Sequence, residues 1–137
     1  MRTHVVAAAL LALLLSSPAP ASQASAPADD MATVWPAFQA AVAKGDTVHV
    51  VELMRFPIQG WDESDLGTEL TRDEFLTRYA KAVTPRVRAG IAKGKPVRQA
   101  DGSYVVEWRV KAPNPRYTLI FENDGSGYRC VALATGE

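Results

Sequence analysis

The sequence predicts an α+β domain, in which helices from the first half pack against an antiparallel sheet from the second half. Up to Gly94, apolar residues recur every three or four positions, which is typical of helices with one buried face. After Gly94 they recur at every second position between turn residues, which is typical of strands joined as hairpins. Helices followed by consecutive hairpins form the pattern of an α+β fold.

The first predicted helix has one apolar face and ends at Gly45. Pro36 fits best in the first turn of a helix, where its missing N–H would have no partner. We therefore expect the helix to begin near Thr33, with Thr33 as its N-cap. Glycine commonly follows the last turn of a helix. The apolar face comprises Met31, Val34, Trp35, Phe38, Ala41 and Val42.

Residues 46–55 are open to two interpretations. Their β-branched residues favour a strand. Asp46 or Thr47 as an N-cap, and apolar residues at helical spacing, favour a short helix. We favour the helix, ended by Phe56-Pro57, and expect a short strand and a loop over residues 58–70.

A capping box starts the next helix, because Glu74 follows the N-cap Thr71 by three residues. Pro85 can start a further short helix, which Gly94 ends. The helix that starts after Thr71 is predicted to have an inward face of Phe75, Leu76, Tyr79, Ala80 and Val83.

The remaining strands are separated by recognisable turns. Asp101-Gly102 is a hairpin signal, and Pro113-Asn114-Pro115 turns the chain again. Residues 123–127 form the last predicted turn. Apolar and polar residues alternate over 104–111 and 117–122, and the final strand is expected over 128–134.

Four segments carry a resemblance to a known fold: residues 35–46, residues 55–57, residues 71–79 and the closing hairpins. Their order resembles the nuclear transport factor 2-like, cystatin-like cone fold, and small secreted bacterial proteins of uncharacterised function. The resemblance covers residues 31–134. It implies a curved sheet that wraps the helices and can enclose a pocket.

Families with this fold include enzymes, ligand binders and protein-interaction modules, so the resemblance does not select one function. Enzymatic members commonly use an Asp and His pair in the pocket. In this sequence no motif pairs an Asp with His49. We therefore carry no catalytic residue over from the resemblance.

The N-terminus has the features of a cleavable signal peptide. A basic start at Arg2 precedes an apolar run from Val5 to Leu15, and small residues follow. The run is too short for a membrane-spanning helix, which needs about 20 residues. We place the cleavage after Ala21, which predicts a soluble protein in the periplasm or the medium. Residues 22–30 are then a flexible lead-in, and residues 31–137 form a single domain.

Charge and composition narrow the function classes. Of 15 basic and 15 acidic residues, residues 1–21 contain one basic residue and no acid, so the mature net charge is −1. That balance argues against a nucleic-acid partner, which needs a strong basic excess. After cleavage His49 and Cys130 are the sole residues of their types. The sequence indicates no metal site and no cofactor.

Three groups of residues could take part in catalysis or metal binding, and each also has a simpler structural interpretation. His49 and Glu52 share a helical face, but a stable metal site usually needs three or four ligands. Cys130 could be a nucleophile, but its place within a strand favours a core residue. The acidic loop 62–65 could bind calcium, but it lacks the twelve-residue calcium-loop pattern.

Aromatic and basic residues supply the candidate binding sites. Aromatic side chains with polar groups would line the mouth of a hollow cone, and we take four of them as candidate ligand-binding residues. The segment 75–100 has seven bases and no acid, which could steer an anionic ligand or an acidic partner. The aromatic candidates are Trp61, Tyr79, Tyr104 and Trp108. The candidate partner-binding residues are Arg86, Arg88, Lys93, Lys95 and Arg98.

Two hypotheses follow for the function. The favoured one is a non-catalytic binding or interaction domain for a small ligand or a protein partner, because few residues remain for catalysis. The alternative is an isomerase or dehydratase with a carboxylate base in the cone. A homodimer could form through an apolar outer sheet face of Val105, Ile120, Val131 and Leu133.

Overall fold

A computed structural model describes residues 30–60, 69–109, 111 and 115–136. The predicted signal peptide 1–21, most of the lead-in, the acidic loop 62–65 and Trp61 lie outside the described residues. Helices in the described part are α1 Met31–Lys44, α2 Thr47–Glu52, α3 Arg72–Thr77, α4 Tyr79–Ala82 and α5 Pro85–Lys93. Strands are β1 Met54–Gln59, β2 Glu69–Leu70, β3 Val97–Arg98, β4 Tyr104–Arg109, β5 Arg116–Asn123 and β6 Tyr128–Gly136.

The six strands form one sheet in the order β2-β1-β6-β5-β4-β3. The sheet is curved and does not close on itself. Neighbouring strands are antiparallel except β1 and β6, which pair in parallel. The predicted α+β class is confirmed, and its arrangement agrees with the cone fold that the sequence resembles.

Helix α1 begins one turn earlier than expected, so the predicted N-cap Thr33 is wrong. The N-cap is Asp30, whose carboxylate accepts a hydrogen bond from the backbone N–H of Thr33 at 2.9 Å. Pro36 lies in the second turn, on the exposed side of the helix, where water can reach the carbonyl that it leaves unpaired. The early start buries Met31.

The ambiguous segment 46–55 contains both predicted structures. Asp46 caps α2 by accepting from the backbone N–H of His49 at 3.3 Å, but this helix ends at Glu52, before the expected Phe56-Pro57. Strand β1 follows and includes Phe56-Pro57. Its first residue, Met54, pairs with Cys130 of β6. A backbone bond from the N–H of Cys130 to the carbonyl of Leu53, at 2.9 Å, fixes the transition.

The predicted capping box at Thr71 and Glu74 is confirmed. The helix that it starts is interrupted at Arg78, and the break separates α3 from α4. Phe75 and Val83 are buried as expected, whereas Ala80 is exposed, contrary to the prediction. The break interrupts the regular helical spacing on which the position of Ala80 was predicted.

Aromatic contacts hold α1 on the sheet. The Phe121 ring lies edge-on to the rings of Trp35 and Phe38, at centroid distances of 5.8 and 5.4 Å. Two α1 side chains also bond the end of α5: Trp35 Nε1 donates to the Gly94 carbonyl at 3.2 Å, and Gln39 Nε2 donates to the Ile91 carbonyl at 2.9 Å. All six residues predicted for the inner face of α1 are buried.

A β-bulge in β6 corrects the predicted outer face of the sheet. Phe121 pairs with Cys130 and Ile120 pairs with Ala132, so Val131 is an extra residue on β6. The extra residue reverses the alternation and turns Leu133 into the core, where it is fully buried. Leu133 therefore cannot belong to an apolar outer face, although Val105, Ile120 and Val131 remain half-buried.

The bulge predicts losses of stability of different size at Val131 and Leu133, two positions apart on β6. Leu133→Ala should lower the free energy of unfolding by about 2–5 kcal/mol, because it removes a fully buried side chain from the core. The matched control Val131→Ala should lower it by less than about 1.5 kcal/mol, because Val131 is half-buried. Chemical denaturation measures both, and a larger loss for Val131→Ala would contradict this register.

Candidate functional site

A groove of about 220 Å³ lies between α5 and the end of β4. Helix α5 contributes two cations and two small residues, and β4 contributes an aromatic residue and a third cation. We call it the cationic groove. It is lined by Arg86, Ala89, Gly90, Lys93, Trp108 and Arg109.

Local sequence explains how α5 presents its cations there. Thr84 caps the helix by accepting from the backbone N–H of Val87 at 3.3 Å, and Pro85 occupies the first turn. The helix buries Val87, Gly90 and Ile91. Arg86 and Lys93 lie seven residues apart, close to two full turns, so both reach the same side of the helix.

The indole of Trp108 closes against the backbone of α5. A Cβ atom at Gly90 would lie only 2.0 Å from the Trp108 ring, so no larger residue fits there without a shift. Tyr117, the direct cross-strand partner of Trp108, stacks on the indole with a centroid distance of 5.3 Å and an interplanar angle of 8°. These contacts give the groove a fixed aromatic wall.

One polar atom of this wall has no partner. Trp108 Nε1 is shielded from solvent and donates no hydrogen bond to any described residue. Leaving a buried donor unpaired costs about 1–3 kcal/mol. A Cβ atom at Gly90 would lie 2.2 Å from Nε1, so this atom faces the backbone of α5.

The cations around Trp108 are not neutralised within the described part of the chain. Arg86, Lys93 and Arg109 make no ion pair with a described acidic residue. Arg109 lies directly opposite Arg116 on β5, and both residues line an adjoining groove of about 240 Å³ with Glu107. Because like charges directly opposite each other destabilise a sheet, this arrangement favours an anion nearby.

The four predicted ligand-binding residues do not form one site. Trp108 lines the cationic groove. Tyr104 packs edge-on against Tyr128 at 5.2 Å, four residues and about 13 Å away along β4. Tyr79 lies on α4 against Phe75, and desolvation raises the pKa of its hydroxyl, which has no partner among the described residues. Trp61 lies outside the described residues.

The predicted basic set is divided in the same way. Arg86 and Lys93 line the cationic groove, whereas Arg88, Lys95 and Arg98 are exposed and do not line it. The sequence-based prediction missed Arg109 and Arg116. Arg109 lies four residues before Pro113 and Arg116 directly follows Pro115, so the predicted turn alone did not place them opposite each other. Their pairing depends on the register of β4 against β5.

His49 is paired with Asp46, which the sequence motifs did not indicate. Its Nδ1 lies 2.5 Å from an Asp46 carboxylate oxygen, in an open groove of about 290 Å³ between α1 and α2. This contact raises the pKa of His49 and lowers that of Asp46. The side chain of His49 is 65% exposed, so the pair lies in open solvent. Its structural role is at the start of α2, where Asp46 is the N-cap.

Cys130 is a core residue, as the simpler interpretation predicted. It is fully buried beside the aromatic core, and desolvation raises the pKa of its thiol to about 12. Burial thus disfavours the thiolate that a cysteine nucleophile requires.

The remaining features of the described residues do not add a site. A further groove at the hairpin tips includes Asp101, Ser103 and Glu122. No group of three His, Cys, Asp or Glu side chains is placed to bind a metal in the part of the chain that the structure describes. None of the helices described is long and apolar enough to cross a bilayer.

The contact between Gly90 and Trp108 gives a stability prediction. Gly90→Ala should lower the free energy of unfolding by about 1–3 kcal/mol, although alanine normally favours a helix, because the new methyl group overlaps the indole. The control Ala92→Ser, at an exposed position of α5, should change it by less than about 0.5 kcal/mol. Thermal denaturation compares them, and a Gly90→Ala variant as stable as the parent would contradict the close packing.

The Asp46–His49 pair gives a pH prediction. Because the folded-state pKa of His49 is raised, the pair adds stability that is fully present below the unfolded pKa of about 6.5 and is lost as pH rises through the folded value. His49→Gln should therefore destabilise the protein more at about pH 5 than at about pH 9. Unfolding of both proteins at the two pH values measures this difference, and an equal loss at both would contradict the pairing.

No model of a known protein family matches the chain, and no curated protein matches it. A solved structure is similar: the NTF-2-like protein of unknown function from Shewanella oneidensis MR-1, determined at 1.70 Å resolution. The two chains are 12% identical, the match covers 78% of this chain and 96% of the other, and the TM-score is 0.43.

Proposed function

We propose that this chain is an exported, non-catalytic binding domain that takes an anionic ligand in the cationic groove. The observation that carries the proposal is that Arg86, Lys93 and Arg109 line one groove with Trp108 and make no ion pair with any described acidic residue. Among the four grooves described above, this is the one whose described lining residues include no carboxylate.

The chemistry of the lining supports an anionic group as the ligand. An arginine guanidinium presents several N–H donors in a planar fork, which suits a carboxylate or a phosphate. The Trp108 indole supplies apolar contact area. The volume of about 220 Å³ is below that of a typical drug-sized pocket, so we expect it to receive one or two anionic groups of a ligand.

Binding has more support than catalysis. An isomerase or dehydratase would need an acid or base beside an enclosed cavity, with a pKa that burial brings near neutral. In the described part, every acidic residue that lines a groove is at least partly exposed. The features that gather in the cationic groove are donors and positive charges, which fit recognition of an anion.

Reversing the charge of Arg109 should separate binding from stability. Arg109→Glu should weaken the affinity for citrate by about tenfold or more, because it replaces a cation of the groove with an anion. The same change should raise the free energy of unfolding by about 0.2–1 kcal/mol, since a Glu–Arg pair would replace the opposed Arg109 and Arg116. Titration calorimetry and denaturation measure the two effects.

The matched control is Arg72→Glu at the start of α3, which changes the net charge equally and lies outside the groove lining. It should leave citrate affinity within about twofold, because exposed charges far from the ligand are screened by salt. Citrate binding that both variants weaken equally would contradict the groove as the site. Citrate that does not bind the parent protein would also contradict it.

Export has its own test. The full chain, expressed in a bacterium with a periplasm, should be recovered outside the cytoplasm with Ser22 as its first residue, because the peptidase cleaves after small residues such as Ala21. Intact mass of the fractionated protein measures the cleavage. An uncleaved chain in the cytoplasm would contradict export without affecting the groove.

A further inference from the structure

We propose that the ligand of the cationic groove is an extended acidic segment of another protein, which adds as a strand to the free edge of β4. This inference rests on the proposed function and names the class of ligand. Its main observation is a strand edge beside the three cations that no described strand pairs with.

No described strand pairs with residues 106–109 on the side of β3, because β3 is much shorter than β4. Strand β3 contains only Val97 and Arg98, which pair with Val105 and Tyr104. On its other side β4 pairs with β5 along its whole length, from Tyr104 to Arg109. Residues 106–109 therefore have a strand neighbour on one side alone among the described residues.

An open edge presents backbone N–H and C=O groups that another strand can bind. Proteins usually protect such edges with charges, proline, bulges or a covering helix. Here α5 approaches the edge but leaves the cationic groove between itself and β4. The positive charges repel basic segments and attract acidic ones, so the edge is selective for its partner.

The dimensions of the groove suit an extended chain. Arg86 and Lys93 lie seven residues apart on α5, which is about 10 Å along the helix axis. A peptide spans that distance with three or four extended residues. Its main chain could bond β4 while its carboxylates reach the cations, and strand addition derives affinity from main-chain bonds of this kind.

A small free anion would bind the cations but form no main-chain hydrogen bonds with the strand edge. This difference distinguishes a small anion from an acidic peptide as the ligand. The test compares two synthetic ten-residue peptides of alternating glutamate and valine, one unmodified and one N-methylated at every amide. Both have the same charges, but the methylated peptide cannot donate main-chain hydrogen bonds. A lysine-valine peptide of the same length controls for charge sign, and fluorescence anisotropy measures the affinities.

We expect the unmodified peptide to bind at least about tenfold more tightly than the methylated peptide, because two or more hydrogen bonds are lost. Arg109→Glu should weaken its binding, and Arg72→Glu should not. Hydrogen exchange should slow at residues 106–109 when this peptide binds, and citrate should not produce that protection. The lysine-valine peptide should not bind.

Two results would overturn the inference in different ways. Equal binding of both acidic peptides, with displacement by citrate and no added protection at residues 106–109, would leave the cationic groove as a site for small anions. The proposed function would then stand without strand addition. If neither acidic peptide nor citrate bound the parent protein, the proposed function and the inference would both fail.

Discussion

The candidate site depends on the close approach of α5 to β4 at two glycines one helical turn apart. A Cβ atom would lie 2.0 Å from the Trp108 ring at Gly90 and 2.4 Å from the Val106 side chain at Gly94. The bond from Trp35 to the Gly94 carbonyl ties the same point to α1. Packed elements of the fold, and not mobile loops, therefore set the distance between the cations of α5 and the end of β4.

That packing places the cations where the described part of the chain does not neutralise them. Arg109 and Arg116 face each other across the β4–β5 pair, which opposes sheet formation. The aromatic stack of Trp108 on Tyr117, at the adjacent pair of positions, supports the same end of the sheet. At this end of the β4–β5 pair, the repulsion between two arginines therefore opposes the stabilising aromatic stack. Such local conflicts are common at functional sites.

Patterns that depend on neighbouring residues could be predicted from the sequence, and patterns that depend on distant pairing could not. The capping box at Thr71 and the inner face of α1 follow from local spacing. The end of α2 and the extra residue Val131 depend on how β1 and β5 pair with β6, which local spacing does not reveal. Arg86, Lys93 and Trp108 were selected by residue type, but only the packing at Gly90 brought them together.

The most direct test of the cationic groove is the indole N–H resonance of Trp108 during a titration with citrate. The proposed site predicts a progressive, saturable shift of this resonance, because the bound anion would change the electric field at the Trp108 indole. The indole of Trp35, already bonded to the Gly94 carbonyl, serves as the internal reference and should shift much less. A Trp108 resonance that does not move while citrate binds elsewhere, or an absence of any binding, would contradict the account.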